Sequence, residues 1–285
     1  MLRLLLAAVA MTALTGTLSY RAPGDRTRET PALRIVRTYD AFPDVTRFDA
    51  ECGAAIGPHE LLKPDTPADA AARIAGSIDE AKVPASIAAA FARASSALPG
   101  GRLTVCIYAA ELSRGLPYMG GVGGLSLGGG RIKLFLHPTK ERFARVPYTI
   151  AHEYHHEVHR MAMAVIDAAD VVVQEGKADH FAVGLYPHLR PPHTTPLSDE
   201  EFALVWPAFL RYEHDRPADF SDRFMIARAG TLPRWAGYRL AFEMVGHYLG
   251  AFPRKPADWL TIPTKVIVDA FKKSPRVAPF ARPSR

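Results

Sequence analysis

The sequence predicts an α+β fold: a small mixed sheet in an N-terminal lobe, a mainly helical C-terminal lobe, and a long helix between the two. Two segments predict the sheet. Leu103–Ala109 (Leu-Thr-Val-Cys-Ile-Tyr-Ala) is short and rich in β-branched and aromatic residues, and Ile132–Leu136 is similar, stopped by Pro138. A third observation predicts the helical part. After Pro147, Ile150, Tyr154, Val158, Met161 and Val165 recur at three- and four-residue steps, which places them on one face of a helix. Of 285 residues 48% are hydrophobic and 22% charged, so the chain can bury a real core.

Taken in order, the chain begins with Met1-Leu2-Arg3 and then runs without charge from Leu4 to Leu18. Roughly fifteen such residues fall short of the ~20 that span a bilayer and match the core of a signal peptide. Residues 1–20 are therefore expected to direct export to the periplasm or beyond. The alternative is an uncleaved N-terminal anchor, and membrane association is expected only if that segment is retained. Residues 21–34 are polar and read as a flexible lead-in to one domain over residues 35–274. Residues 66–98 are Ala-rich and helical in pattern, interrupted by Pro84 and ended by Pro99-Gly100-Gly101.

Between the two strand candidates lies a glycine-rich stretch, Gly120 to Gly130, with no G-x-G-x-x-G opening a helix, so it does not read as a dinucleotide site. Pro147 suits a first helical turn, where its missing N–H does no harm. Further helices are expected over Val171–Leu185, Ser198–Arg211 and Gly237–Leu249, with a proline- and histidine-containing loop from Pro187 to Pro196. Residues 275–285 read as a loose basic tail.

Cys52 and Cys106 are too far apart for a CxxC motif. In an oxidising compartment they can pair, closing a loop of about 55 residues worth up to ~4 kcal/mol. Otherwise they are two buried thiols. The net charge of +6 is mild, its 35 basic residues are scattered, and no zinc-finger, RNA-binding or P-loop signature is present. No nucleic-acid partner is expected.

The chemistry concentrates in Ala151-His152-Glu153-Tyr154-His155-His156, which contains His-Glu-x-x-His. Residues four apart share a helix face, so His152 and His156 can bind one ion, while Glu153 beside the first ligand can reach water there. On a helical wheel that face lies opposite the Ile150/Tyr154/Val158 stripe. His155 and His159 are also four apart, but no glutamate follows the first of them. A catalytic zinc needs a third protein ligand and an open position. Glu175, with eighteen residues between it and His156, stands on the next expected helix, with Gly176 and Ala178 small enough to let the two helices approach. Asp179, one turn further, can accept the outer ring N–H of His152 and fix its tautomer.

His-Glu-x-x-His, eighteen residues, then Glu-Gly is the spacing of the gluzincins, zinc peptidases whose third ligand is a glutamate. More narrowly, His152–His156, Glu175–Phe181 (Glu-Gly-x-Ala-Asp-x-Phe) and Gly237–Leu249 resemble a thinly understood bacterial family of zinc-dependent proteases. The resemblance covers roughly residues 100 to 250, and Lys177 stands where that family is expected to carry leucine. It implies a zincin-like fold. The expected cofactor is one zinc per chain, held by His152, His156 and Glu175, and the expected substrate is a peptide or protein. Zinc lowers the pKa of a water from about 15.7 to about 7, and Glu153 would act as general base. Tyr238, at the start of its helix, is the expected oxyanion donor, ahead of His247 and Tyr212. Leu125–Leu136 is expected to be the sheet edge along which a peptide lies. The competing readings are a non-catalytic metal- or peptide-binding protein and a zinc hydrolase of non-protein substrates.

Overall fold

In the computed structural model, residues 32–53, 62–63, 65–111, 116–162, 165–228 and 230–280 are described. The signal segment, most of the lead-in and residues 281–285 of the tail lie outside them. The α+β expectation holds: a four-stranded sheet stands in the N-terminal part and the remainder is mostly helical.

The elements follow one another as β1 Leu33–Arg37, α1 Asp49–Cys52, α2 Ala68–Glu80, α3 Val83–Ala97, β2 Leu103–Ala109, β3 Val122–Ser126 and β4 Arg131–Leu136, then α4 Val146–Ala162, α5 Ala168–Leu185, α6 Asp199–Tyr212, α7 Ala236–Ala251, α8 Pro256–Trp259 and α9 Thr264–Lys272. The strand order is β1-β2-β4-β3, with β1, β2 and β4 parallel and β3 antiparallel to β4 on the edge. Side-chain alternation explains the layers. Val105, Ile107, Ile132 and Leu134 face the main core, which α3 and α4 also line through Ile87, Phe91, Ile150 and Tyr154. Cys106, Tyr108 and Phe135 face the other way, into a smaller cluster with Val36 and Cys52. There Cys52 and Cys106 are joined in a disulfide, with Cα atoms 5.9 Å apart.

Four expectations need correction. Leu33 and Arg34, the end of the expected lead-in, open a strand over Leu33–Arg37: its backbone pairs with β2 from Leu33↔Leu103 to Arg37↔Ile107, and the guanidinium of Arg37 reaches Asp79 on α2 at 2.7 Å. The two arginines make the segment look polar, yet long-range pairing decides its conformation. Leu125–Leu136 is not one edge strand. A turn at residues 127–130 divides it, leaving β3 as the edge and β4 inside the sheet. The helix from Pro147 stops at Ala162, so Val165 falls outside the stripe. The start of the basic tail is fastened: Arg276 pairs with Asp199 and Glu243, and Val277 is buried. Among the described residues, no helix is long and apolar enough to cross a membrane.

Candidate metal centre

Helix α4 carries His152, Glu153 and His156, and it is buried on all sides at its centre. Ile150 and Tyr154 anchor it in the core, and the Tyr154 hydroxyl donates to the Leu98 carbonyl. Helix α5, which carries Glu175 and Asp179, starts from a capping box. The Asp167 side chain accepts from the Asp170 N–H at 2.9 Å, and the Asp170 carboxylate accepts in return. That cap fixes where Glu175 falls against α4.

His152 Nε2 and His156 Nε2 are 3.0 Å apart, and Glu175 Oε2 lies 3.1 Å from the first and 3.4 Å from the second. Among the described residues, this is the group of three His, Cys, Asp or Glu side chains whose donor atoms converge. Three donors bound tetrahedrally at zinc distances stand roughly 3.3 Å from one another, close to the observed spacing. Two buried imidazole lone pairs facing each other and a carboxylate are poorly served by one another, and a single cation satisfies all three. The residues present fit zinc.

Behind the centre, Asp179 is fully buried. Its Oδ1 lies 2.8 Å from His152 Nδ1. The same oxygen accepts from the Tyr148 hydroxyl at 2.6 Å and meets His193 Nε2 at 3.3 Å. Burial opposes the charge of Asp179, but His193 and His152 outweigh it and hold the carboxyl well below the usual carboxylate range. A charged Asp179 favours the His152 tautomer that carries its proton on Nδ1.

Glu153 projects from α4 to the edge strand. Its Oε2 accepts the Ser126 N–H at 2.8 Å, and burial raises its carboxyl above the usual value. One turn on, Glu157 accepts from the Ser126 hydroxyl and from the N–H groups of Gly128 and Gly130, tying the β3–β4 turn to α4. Gly124 permits this approach: a Cβ there would sit 2.5 Å from Glu153 Cγ. The edge strand and Glu153 are thus one unit.

Tyr238 packs its ring on His193 at 5.1 Å and on Trp235 at 5.5 Å. Burial raises its hydroxyl well above 10, and Glu175, Asp179 and Glu153 reinforce the effect. It is a neutral donor within the field of the centre. The other oxyanion candidates pack on hydrophobic rings, His247 on Phe271 and Tyr212 on Phe220 and Phe224. His155 and His159 stack on each other in the interior with no third donor among the described residues, and burial lowers both, His159 to about 3. Gly176 serves a different contact from the expected one, facing the Ala241 carbonyl of α7. Lys177 is buried, and its ammonium donates to the carbonyls of Leu260 and Ile262.

Sequence reasoning missed Tyr148, His193 and Glu157. Tyr148 and Glu157 stand four residues from His152 and Glu153, so helical spacing could have flagged both. His193 comes from a loop and carries no such signal.

A small mixed sheet has its edge strand beside a His-Glu-x-x-His helix, and a carboxylate from the next helix completes a donor set that could hold a metal ion. The chain belongs to the DUF2268 family, described as predicted Zn-dependent protease, whose model matches residues 83–269. Neither a curated protein nor a solved structure is matched by the chain.

Proposed function

We propose that the protein is a zinc-dependent peptidase of the gluzincin type, with His152, His156 and Glu175 holding one zinc and Glu153 acting as general base. The observation that carries this reading is the convergence of those three donors at 3.0–3.4 Å with the Glu153 carboxylate held beside the sheet edge. When bound, zinc supplies a Lewis acid that polarises the scissile carbonyl and acidifies water. Glu153 takes the proton of the attacking water and passes it to the leaving amine; its burial-raised carboxyl suits both roles. Asp179, Tyr148 and His193 keep His152 in place. Tyr238, held protonated, donates to the oxygen that gains charge as the carbonyl becomes tetrahedral. Strand β3 offers an open edge where an extended peptide pairs and presents its bond to Glu153. The disulfide between Cys52 and Cys106 supports an exported protein, in keeping with the N-terminal signal segment.

The test is removal and return of the metal. Protein stripped by a chelator should cleave no member of a mixed peptide library, and one equivalent of zinc should restore turnover. Full activity in the stripped protein would contradict the proposal.

A further inference from the structure

A cavity of about 640 Å³ opens beside Glu175 and takes no part in the chemistry above. Its walls come from the end of α4, the first half of α5 and the segment between α6 and α7. Arg160, one turn beyond His156, and Arg216 line it; both are exposed, and neither has an ion-pair partner among the described residues. Gln174 lines it as well. That residue is only 7% exposed, and its amide nitrogen is buried without an acceptor among the described residues. The one carboxylate among the described lining residues is Glu175, which is already engaged by His152 and His156. Two guanidiniums therefore line a space bounded by apolar Val171 and Phe220.

We propose that this cavity is a substrate subsite for a carboxylate, carried either on an acidic side chain or at the end of the peptide. Guanidinium groups bind carboxylates through paired N–H donors, and the apolar walls accept the intervening methylenes. The inference rests on the peptidase reading, because it treats the centre beside Glu175 as the place where the substrate is cut.

The experiment uses the zinc-loaded Glu153→Gln protein, so that binding is read without turnover. Calorimetry compares three peptides of otherwise identical sequence: a neutral one with an amidated end, the same one with a free C-terminus, and an amidated one carrying a glutamate. At least one acid-bearing peptide should bind tenfold or more tightly than the neutral peptide, and which one does so identifies the source of the carboxylate. Adding Arg160→Gln and Arg216→Gln should reduce that difference to threefold or less. Both arginines are exposed, so this variant is expected to fold, with circular dichroism and its melting temperature as the check. Equal affinities for all three peptides, no measurable binding, or a preference that survives loss of both arginines would overturn the subsite. Failure of the peptidase reading looks different: the acid-bearing peptide binds, yet the wild type cleaves none of the three.

Discussion

At Asp179 a single oxygen faces Tyr148, His152 and His193, and the position of His152 depends on that oxygen. Replacing the carboxylate by an amide keeps the shape and removes the charge that holds the proton on Nδ1. Asp179→Asn should therefore weaken zinc binding by about 10- to 100-fold, the usual cost of losing such a partner. Competition with a chromogenic chelator measures it, and unchanged affinity would show that His152 needs no such support. How much of this centre the sequence discloses follows from helix periodicity. His152, Glu153, His156, Glu175 and Asp179 all stand out because three- and four-residue spacing lies within one or two helices. His193 does not, since only tertiary folding of the loop after α5 brings it to Asp179. The orphan amide of Gln174 is equally silent, because a glutamine beside a ligand looks like any solvated helix residue.

Among the elements, α5 and α7 meet in a close contact at Gly176. A Cβ at Gly176 would stand 2.3 Å from the Ala241 carbonyl oxygen, which is backbone and cannot turn aside. Gly176→Ala should separate the two helices and destabilise the fold by about 1–3 kcal/mol, seen as a lower denaturation midpoint. Because Glu175 is the preceding residue, zinc affinity should fall with it; an unchanged midpoint would contradict the close packing. The sequence shows that glycine and alanine here permit close approach, but not to which helix. The same limit applies to the sheet. Strands β2 and β4 announce themselves through β-branched and aromatic residues, whereas β3, Val-Gly-Gly-Leu-Ser, is a strand only because β4 and α4 flank it. Its glycines lower local β-propensity, and Gly124 is there for the approach of Glu153.

For the whole molecule, the disulfide ties two residues 54 positions apart across the smaller cluster, on the sheet face away from α4. Cross-linking a loop of this length is worth about 4 kcal/mol on the chain-entropy model. The Cys52→Ala/Cys106→Ala double variant should lose stability of that order while keeping its zinc. Loss of zinc under native conditions would mean that the two sheet faces are coupled more tightly than the layering implies. That the cysteines could pair is visible in the sequence; that they do depends on α1 being carried over β2, which no local pattern encodes.

The central claim, that zinc and Glu153 together hydrolyse peptide bonds, is tested most directly in the Glu153→Gln protein. Glu153 is not one of the three converging donors and accepts the Ser126 N–H, so glutamine there leaves the donor set whole. A general base contributes about 10²- to 10⁴-fold in rate. The variant should carry as much zinc as the wild type and cleave a mixed peptide library at least a hundredfold more slowly. Equal cleavage by the two proteins, or no cleavage by the zinc-loaded wild type, would contradict the account.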